Sequence, residues 1–336
     1  MKTFDLPRGL EAPGPPTVRD GVRLLVASPG GIEHARFAQL GDFLSPGDLI
    51  VINTSGTLAA AVDGLRPDGR AATVHFATAL DDGGWVVEVR PAGEATGPVA
   101  DACPGEEIGL PDGVRLVLLA PYPPGQRRLW EARIGVEGGV PAYLARHGRP
   151  IRYSYVSAPL PLTDYQTVFA REPGSAEMPS AGRPFTAELV TELVSRGIGI
   201  SPITLHTGVS SQEAGEPPQP ERFAVPETTA RAVNMTRAWG GRVIAVGTTV
   251  TRALESAVDG GGVVRALSGW TGLVLGPQRP ATVVGGLITG WHAPGASHLD
   301  LLEAVAGAGL VDRAYTEALR ARYLWHEFGD SCLLLP

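Results

Sequence analysis

The segment Arg242–Ser256, R-V-I-A-V-G-T-T-V-T-R-A-L-E-S, contains residue types that can bind an anion or a carboxylate. Its run Val243–Val246 is apolar and β-branched, as in a buried strand. Gly247 permits a tight turn, and Thr248 and Thr249 can cap the helix that follows. A strand that turns directly into a helix leaves free N–H groups at the helix start, and such groups bind anions. The same pattern is also typical of a plain β-turn-α unit in any α/β protein.

Several other polar side chains are candidates for proton transfer. His206 closes a predicted strand, Ile200–Leu205, at the position where ligands of an α/β sheet bind. The remaining candidates occur in short motifs: Asp164 in D-Y-Q, His292 in W-H-A-P-G and Asp330 in F-G-D. For each of them, an ordinary hydrogen-bonded structural role is the competing interpretation.

The sequence pattern in the first half of the chain predicts a β-structure. This structure interrupts the part of the fold that contains the candidate residues. Leu49–Asn53 is typical of a buried strand, and short alternating segments follow it. Gly, Pro and Asp separate these segments, which favours an antiparallel barrel or sandwich. The segments are Ala71–Ala77, Gly84–Val89, Val114–Leu119 and Trp130–Ile134.

After Pro141 the pattern changes to helices alternating with strands, which indicates an α/β layout. The predicted helices are Thr186–Arg196, Glu227–Trp239, Val250–Val258, His298–Ala306 and Arg313–Tyr323. The predicted strands among them are Ile200–Leu205, Arg242–Val246 and Leu273–Leu275. We therefore expect a discontinuous α/β catalytic domain (1–58 and 151–336) with an inserted antiparallel β-barrel domain (59–150). Gly208–Pro220 is expected to be a mobile loop.

The composition indicates a water-soluble protein of 336 residues with 43% hydrophobic and 19% charged residues. No apolar run approaches the roughly 20 residues that span a bilayer. The N-terminus has no apolar signal core. Cys103 and Cys332 are far apart in sequence, so we expect two reduced, structural thiols in a cytoplasmic protein. The seven histidines have no metal-binding spacing with cysteine, and we expect no metal.

The net charge of −7 gives no general attraction for the phosphates of a nucleic acid. Arginines are concentrated only in Arg127–Arg133 and Arg146–Arg152, where solvated loop residues are the simpler interpretation.

Nine motifs occur in an order that resembles the S-adenosylmethionine:tRNA ribosyltransferase-isomerase family of queuosine biosynthesis. The resemblance extends from Phe4 to the C-terminus. The motifs are Phe4–Pro7 (F-D-L-P), Arg19–Val26 (R-D-x-x-R-L-L-V), Pro46–Asn53 (P-G-D-L-I-V-I-N), Asp164–Ala170 (D-Y-Q-T-V-F-A), Pro179–Gly182 (P-x-A-G), Thr204–His206 (T-L-H), Arg242–Ser256, His292–Pro294 (H-x-P) and Phe328–Asp330 (F-G-D).

The resemblance implies that S-adenosylmethionine serves as a ribosyl donor. In the family, the aminomethyl group of a deazaguanine in tRNA attacks the ribosyl part, and adenine and methionine leave. The sulfonium makes the 5′ carbon acidic, so the protein must supply a base and orient the ribose. It must also stabilise or protonate the departing adenine. The resemblance also implies the same discontinuous domain arrangement.

On this basis the candidate residues divide into two sets. The expected catalytic residues are His206, His292, Asp164 and Asp330. The expected S-adenosylmethionine-binding residues are Gly247, Thr248, Thr249, Arg252, Glu255, Tyr165, Gln166 and Trp291, the last as a stacking partner for adenine.

The chain also departs from the family pattern. Arg183 stands where the family has leucine, Pro184 stands where it has histidine, and G-V-S-S-Q replaces a glycine-rich turn after His206. Four motif arginines are also replaced, at Gly56, Ala61, Gly295 and Leu324. Because fewer arginines neutralise fewer phosphates, these replacements are expected to weaken tRNA binding.

Three functions therefore remain open. The first is the family reaction on tRNA. The second is a divergent enzyme that keeps S-adenosylmethionine but uses a small-molecule acceptor, and the third is a non-catalytic relative that binds a ligand. The retained side chains of His206, His292, Asp164 and Gln166 favour an enzyme, because a scaffold does not need them.

Overall fold

The apolar run Leu49–Asn53 forms an inner strand of a nine-stranded mixed sheet. The fold is that of a computed structural model, which describes residues 4–93, 97–209 and 219–336. Leu49 and Val51 point into a hydrophobic core on one face of the sheet. Ile50 and Ile52 point into a second core on the opposite face. This alternation is the consequence of strand geometry, and it requires that both faces be covered.

Strands outnumber helices in the described residues. In chain order, the strands are β1 (Arg23–Ser28), β2 (Gly31–Arg36), β3 (Leu49–Asn53), β4 (Ser55–Thr57), β5 (Ala61–Leu65), β6 (Ala71–Ala79), β7 (Trp85–Pro91), β8 (Glu107–Gly109), β9 (Arg115–Tyr122), β10 (Leu129–Ile134), β11 (Glu172–Ser175), β12 (Gly199–Leu205), β13 (Glu221–Val225), β14 (Val243–Val246), β15 (Leu267–Thr271), β16 (Gly286–Gly290) and β17 (Ser331–Leu334). The α-helices are α1 (Val140–His147), α2 (Ala187–Ser195), α3 (Glu227–Ala238), α4 (Thr248–Ser256), α5 (His298–Ala306) and α6 (Ala308–Arg320).

The large sheet has the strand order β15-β13-β12-β3-β14-β16-β17-β1-β2. Its four middle strands β12, β3, β14 and β16 are parallel. Their carboxyl ends therefore meet at one side of the sheet, which we call the carboxyl edge. It is formed by the residues that directly follow these four strands. Ligands of open α/β sheets bind in crevices outside such an edge.

Helices and turns cover both faces of this sheet. Apolar residues of α3, α4, α5 and α6 pack in the core on one face. On the other face the core contains residues of α2 and of a 3₁₀ turn at Phe37–Phe43.

A closed antiparallel barrel is formed by β5 to β10 in the order β10-β7-β6-β5-β8-β9. Alternate side chains of its strands, such as Val74 and Phe76, fill an apolar interior. The predicted fold class, an α/β structure with an inserted antiparallel β-barrel, is confirmed. The exact division at residues 59 and 150 stays a prediction.

A small parallel sheet of β4 and β11 lies between the large sheet and the barrel. The Leu58 N–H donates to the carbonyl of Ser175, and the Ala176 N–H donates to the carbonyl of Thr207. The first strand residues after β3 are therefore held next to the residues that follow β12.

Most predicted elements form near their expected bounds, but two need correction. The strand predicted at Leu273–Leu275 is wrong: the strand is β15, which pairs with β13, and the Leu273 carbonyl accepts a hydrogen bond from Arg252. The helix predicted at Arg313–Tyr323 begins at Ala308 and ends at Arg320. Gly307 with φ 75° separates it from α5.

Three further expectations can be compared with the structure. Residues 210–218 of the predicted loop Gly208–Pro220 lie outside the described residues. Cys332 is buried and Cys103 is exposed, so the expected structural role is wrong for Cys103; both thiols are free. Among the described helices, none combines the length and the apolarity needed to cross a membrane.

Glu88 is the most enclosed acidic side chain of the barrel, with 1% of its surface exposed. Its two carboxylate oxygens accept hydrogen bonds from Arg128 and Arg90, each at 3.1 Å. His75 Nδ1 lies 3.5 Å from the same carboxylate. Burial by itself would raise the pKa of Glu88, but these basic neighbours outweigh it and lower the pKa.

We expect Glu88→Ala to reduce the free energy of unfolding by about 3 to 5 kcal/mol, because it leaves buried cations without their counter-charge. Denaturant unfolding measures the loss. The matched control is Glu107→Ala, which removes an exposed carboxylate paired with exposed Arg115. Exposed pairs contribute less than about 1 kcal/mol. Equal losses for the two variants would contradict a special role of Glu88.

Candidate functional site

Asn53 ends the inner strand β3, and its buried amide joins three segments of the carboxyl edge. Its Oδ1 accepts from the N–H groups of Leu205 and Ser55, each at 3.0 Å. Its Nδ2 donates to the carbonyl of Leu205 at 2.8 Å and contacts Thr249 Oγ1 at 3.4 Å. The end of β12, the start of β4 and the start of α4 are therefore fixed relative to one another.

His206 directly follows β12 and is held by two serines. Its Nδ1 lies 2.7 Å from Ser55 Oγ, which lies 2.6 Å from Ser175 Oγ. The imidazole covers Gly174 so closely that a Cβ atom there would lie 2.5 Å from the ring. Burial, and then the charge of Arg222, lower the pKa of His206. The ring is thus fixed in position and neutral at pH 7.

The Gly247 bend connects β14 to α4, as predicted. Gly247 has φ 91° and is itself the N-cap, so neither threonine caps the helix and that part of the prediction is wrong. No capping side chain occupies the N–H groups of the first turn. Thr249 instead contacts Asn53, and Ala181 Cβ lies 3.3 Å from the position of a Cβ on Gly247. The start of α4 therefore offers donors at the carboxyl edge beside His206.

Gln166 binds the strand β4 by two hydrogen bonds. Its Nε2 donates to the Thr57 carbonyl at 2.8 Å, and its Oε1 accepts from the Thr57 N–H at 3.0 Å. Arg19 donates to the carbonyls of Gln166 and Arg183. Gln166 and Arg19 also line a cavity of 370 Å³. Gln166 therefore positions backbone at the site and lies next to open space.

A larger cavity of 510 Å³ lies elsewhere. Glu255, Ser256 and Trp270 contribute to its lining. Because α4 begins at the carboxyl edge, its last residues lie toward the opposite edge. Its lining also includes Phe223, which pairs with Leu205, and Trp270, which pairs with Arg222. Part of the cavity therefore lies on β15 level with His206. The residues of the Gly247 bend do not line it.

His292 follows β16, on the same edge as His206. Its Nε2 lies 3.0 Å from Thr289 Oγ1, and its ring stacks on His298 at 4.5 Å. Two strands lie between β12 and β16, so about 14 Å separates the two strand ends. The structure thus places both predicted histidines at one edge, but not in contact with each other.

Burial sets the protonation of the His292–His298 pair. It lowers the pKa of His292 well below its usual value, with His298 and His326 contributing next. It lowers the pKa of His298 to about 4, with Arg252 contributing next. Both rings are therefore neutral at pH 7, and neither is present as an imidazolium that could act as a general acid.

Three predicted site residues make hydrogen bonds that hold the fold together. Asp330 accepts from the guanidinium of Arg23 and from two backbone N–H groups. Glu255 accepts from the N–H groups of residues 282–284 and from the Thr282 hydroxyl. Arg252 pairs with Glu221 and donates to the carbonyls of residues 271 and 273. These groups hold loops in place, and their bonding leaves little capacity for a ligand.

Trp291 is a core residue and not a stacking surface. Only 2% of it is exposed, and it packs against the rings of Tyr315, Tyr323 and Trp325. The next residue, His292, is partly exposed. The prediction that the indole stacks on adenine is wrong.

Asp164 and Tyr165 lie in a 3₁₀ turn at Leu162–Tyr165. Tyr165 is 4% exposed and meets the Phe328 ring edge-on at 5.3 Å between centroids. Asp164 is partly exposed, and its charge acts on Arg183. The motif D-Y-Q is therefore divided among an acidic side chain, a buried ring and the bonded amide of Gln166.

The sequence reasoning did not select Asn53, Ser55 or Ser175. A signal existed for Asn53, since it is a polar residue at the end of the apolar run Leu49–Ile52. Ser55 follows it by two residues. Ser175 lies in E-P-G-S, which has no strand pattern. It comes close to His206 through the pairing of β11 with β4 and through hydrogen bonds to Thr207.

Comparison with known proteins gives a consistent result. The family model described as queuosine biosynthesis protein matches residues 2–334. The chain belongs to this family. It is 37% identical over 344 residues to the S-adenosylmethionine:tRNA ribosyltransferase-isomerase of Symbiobacterium thermophilum, with 99% of this chain and 98% of that protein covered.

Two further family members extend this result. The protein of the same name from Nitrobacter winogradskyi is 33% identical over 363 residues, with 99% and 97% coverage. The crystal structure of S-adenosylmethionine tRNA ribosyltransferase from Thermotoga maritima has a TM-score of 0.56 and 27% identity, covering 99% of each chain. The family resemblance read from the motifs is confirmed.

The histidine pair predicts an acid-sensitive stability of this family member. His298 binds a proton more weakly in the folded chain than in the unfolded chain. Its contribution to the free energy of unfolding is therefore fully present above pH 6.5. That contribution falls as pH decreases toward 4. We expect the free energy of unfolding of His298→Phe to fall less steeply between pH 6.5 and 4.5, by up to about 1.4 kcal/mol per pH unit. Identical slopes for both proteins in denaturant unfolding would contradict this.

Proposed function

We propose that this family member transfers and isomerises the ribosyl moiety of S-adenosylmethionine onto an amine. The acceptor is 7-aminomethyl-7-deazaguanine in tRNA, and the products released are adenine and methionine. Family membership and the names of the relatives support the reaction class. The observation that carries the assignment of residues is the hydrogen-bonded chain of His206, Ser55 and Ser175 at the carboxyl edge.

His206 is the proposed base for the 5′ proton. The Thr207 N–H donates to Ser175 Oγ at 2.9 Å, so Ser175 acts as an acceptor there. We assign the Ser55 hydroxyl as donor to Ser175, and the Nδ1–H of His206 as donor to Ser55. In that tautomer Nε2 carries the lone pair that accepts a proton. Among the described residues, no hydrogen bond engages Nε2. The lowered pKa keeps the ring unprotonated at neutral pH.

The Gly247 bend is the proposed binding site for the ribosyl group. N–H groups of the first turn of α4 and the Thr249 hydroxyl supply hydrogen bonds to oxygen acceptors. Asn53 holds this turn beside His206, which orients the sugar toward the base. We assign His292 a binding role toward the base of the nucleoside and not proton donation, because its pKa is too low.

A small-molecule acceptor is the alternative, and the replaced arginines favour it. Leu324 is 36% exposed, and Gly295 has φ 78°, a backbone conformation unfavourable for arginine. A Cβ atom at Gly56 would fit without a clash, so the backbone there does not by itself require glycine. Adenine release measured with and without tRNA at about 0.15 M salt separates the two acceptors. Release that requires tRNA excludes the alternative.

The direct test is chromatography of adenine and methionine after incubation with S-adenosylmethionine and acceptor tRNA. We expect His206→Ala to slow release by about 100- to 10,000-fold, the usual contribution of a general base. The control is His34→Ala. His34 lies on β2 at the far end of the sheet, bonded to Tyr323 and Glu317. Unchanged release by His206→Ala, or equal losses in both variants, would remove His206 from the reaction.

The pH profile of kcat/KM provides a second test. The acid limb of the wild type should lie below pH 6.5, because burial and Arg222 lower the pKa of His206 while Glu172 opposes them. Arg222→Gln removes a positive charge and should move the limb to higher pH. Glu172→Gln removes a negative charge and should move it to lower pH. Shifts in the same direction, or no shifts, would argue against His206 as the titrating base.

A further inference from the structure

Arg183 is a buried cation without a counter-ion. It is 4% exposed, and its Nε–H has no hydrogen-bond partner among the described residues. No carboxylate among the described residues forms an ion pair with the Arg183 guanidinium. Its guanidinium lies over the Phe328 ring at 5.0 Å. Burial, and then nearby Arg19, lower the pKa of Arg183 to about 10, so it remains charged at neutral pH.

Tyr165, whose ring also packs against Phe328, has a second unused donor. Its hydroxyl is buried and has no hydrogen-bond partner among the described residues. Burial, and then Glu327, raise the pKa of Tyr165 to about 12, so the hydroxyl keeps its proton. Leaving such groups unbonded is costly. Because both orphaned groups can donate, a ligand with acceptor atoms such as carboxylate oxygens satisfies them.

Asp164 completes the chemistry of the cluster. Its charge acts on Arg183, yet the two side chains form no ion pair within 4.0 Å in the described structure. A cation and an anion that are close but unpaired match a ligand group carrying both charges. An α-amino acid group, with its carboxylate next to its ammonium, has this arrangement.

The cluster lies beside the proposed ribosyl site. Arg183 directly follows the turn Ser180–Gly182, in which Ala181 packs against the Gly247 bend. Gln166, next to Tyr165 in sequence, lines the 370 Å³ cavity. A substrate whose ribosyl group binds at Gly247 can therefore extend a substituent toward Arg183.

We propose that Arg183, Tyr165 and Asp164 bind the α-amino acid group of S-adenosylmethionine. Arg183 and Tyr165 donate to the methionyl carboxylate, and Asp164 accepts from the ammonium. This inference rests on the proposed function, since it places one part of the same substrate. The family pattern has leucine at the position of Arg183, so the guanidinium adds affinity and is not needed for the chemistry.

The test compares three ligands by isothermal titration: S-adenosylmethionine, its decarboxylated form, and 5′-methylthioadenosine, which lacks the amino acid group. Arg183→Leu should weaken S-adenosylmethionine by about 10- to 100-fold and leave the other two unchanged. Asp164→Asn should weaken the two ligands that carry the amine and spare 5′-methylthioadenosine. Tyr165→Phe should weaken S-adenosylmethionine by about 2- to 10-fold. In turnover, Arg183→Leu should raise KM with little change in kcat.

A folding defect is separable from a binding defect. Replacing an unpaired buried charge with leucine should leave thermal stability without ligand equal to or above that of the wild type. A loss of stability, or equal weakening of all three ligands, would show a structural role and overturn the proposal. Unchanged S-adenosylmethionine affinity with a raised KM for the acceptor would assign the subsite to the acceptor and also overturn it.

Failure of this inference is distinguishable from failure of the proposed function. If the wild type binds S-adenosylmethionine and Arg183→Leu binds it as tightly, only the amino acid subsite falls. If the wild type binds none of the three nucleosides, the proposed function falls and this inference falls with it.

Discussion

The buried amide of Asn53 is the constraint on which the carboxyl edge depends. A primary amide can donate and accept at once, so one side chain binds both the N–H and the carbonyl of Leu205 while also holding Ser55. Neither an apolar residue nor a carboxylate could satisfy all of these groups. The position of Ser55 in turn fixes the ring of His206. The orientation of the proposed base is therefore set by the end of an inner strand of the sheet, where packing on both faces restricts motion.

The sequence predicted those elements whose signal is local. The strand β3 and the helix α5 have their predicted bounds, because an apolar run and a helical repeat are visible within a few residues. The strands β11 and β17 were not predicted, since their pairing depends on distant segments. Ser331 pairs beside Leu24, about 300 residues away in sequence, and E-P-G-S becomes a strand only against β4. Long-range pairing of this kind leaves no periodic pattern in the paired segment itself.

For the site, residue type was a weaker guide than the completeness of hydrogen bonding. Asp330, Glu255 and Arg252 have the chemistry of site residues, but each has its bonding capacity taken up by loops of the fold. Tyr165 was expected to bind S-adenosylmethionine, whereas Arg183 was noted only as a departure from the family pattern, and both keep unused donors in the interior. A sequence gives the list of donors and acceptors. Only the folded chain determines which of them remain unsatisfied, and those are the groups that a ligand stabilises most.

The positions of the arginines determine which substrate, tRNA or S-adenosylmethionine, their charge acts on. Arginines at the surface attract tRNA phosphates through a term that salt weakens strongly, and this chain has other residues at four positions where the motif resemblance implies arginine, Gly295 and Leu324 among them. A guanidinium in the interior is screened far less, because solvent ions do not reach it. Arg183 therefore places positive charge where it acts on a small bound group and not on a polyanion. In the proposed assignment, the positive charge of Arg183 contributes to recognition of the nucleoside and not of the acceptor.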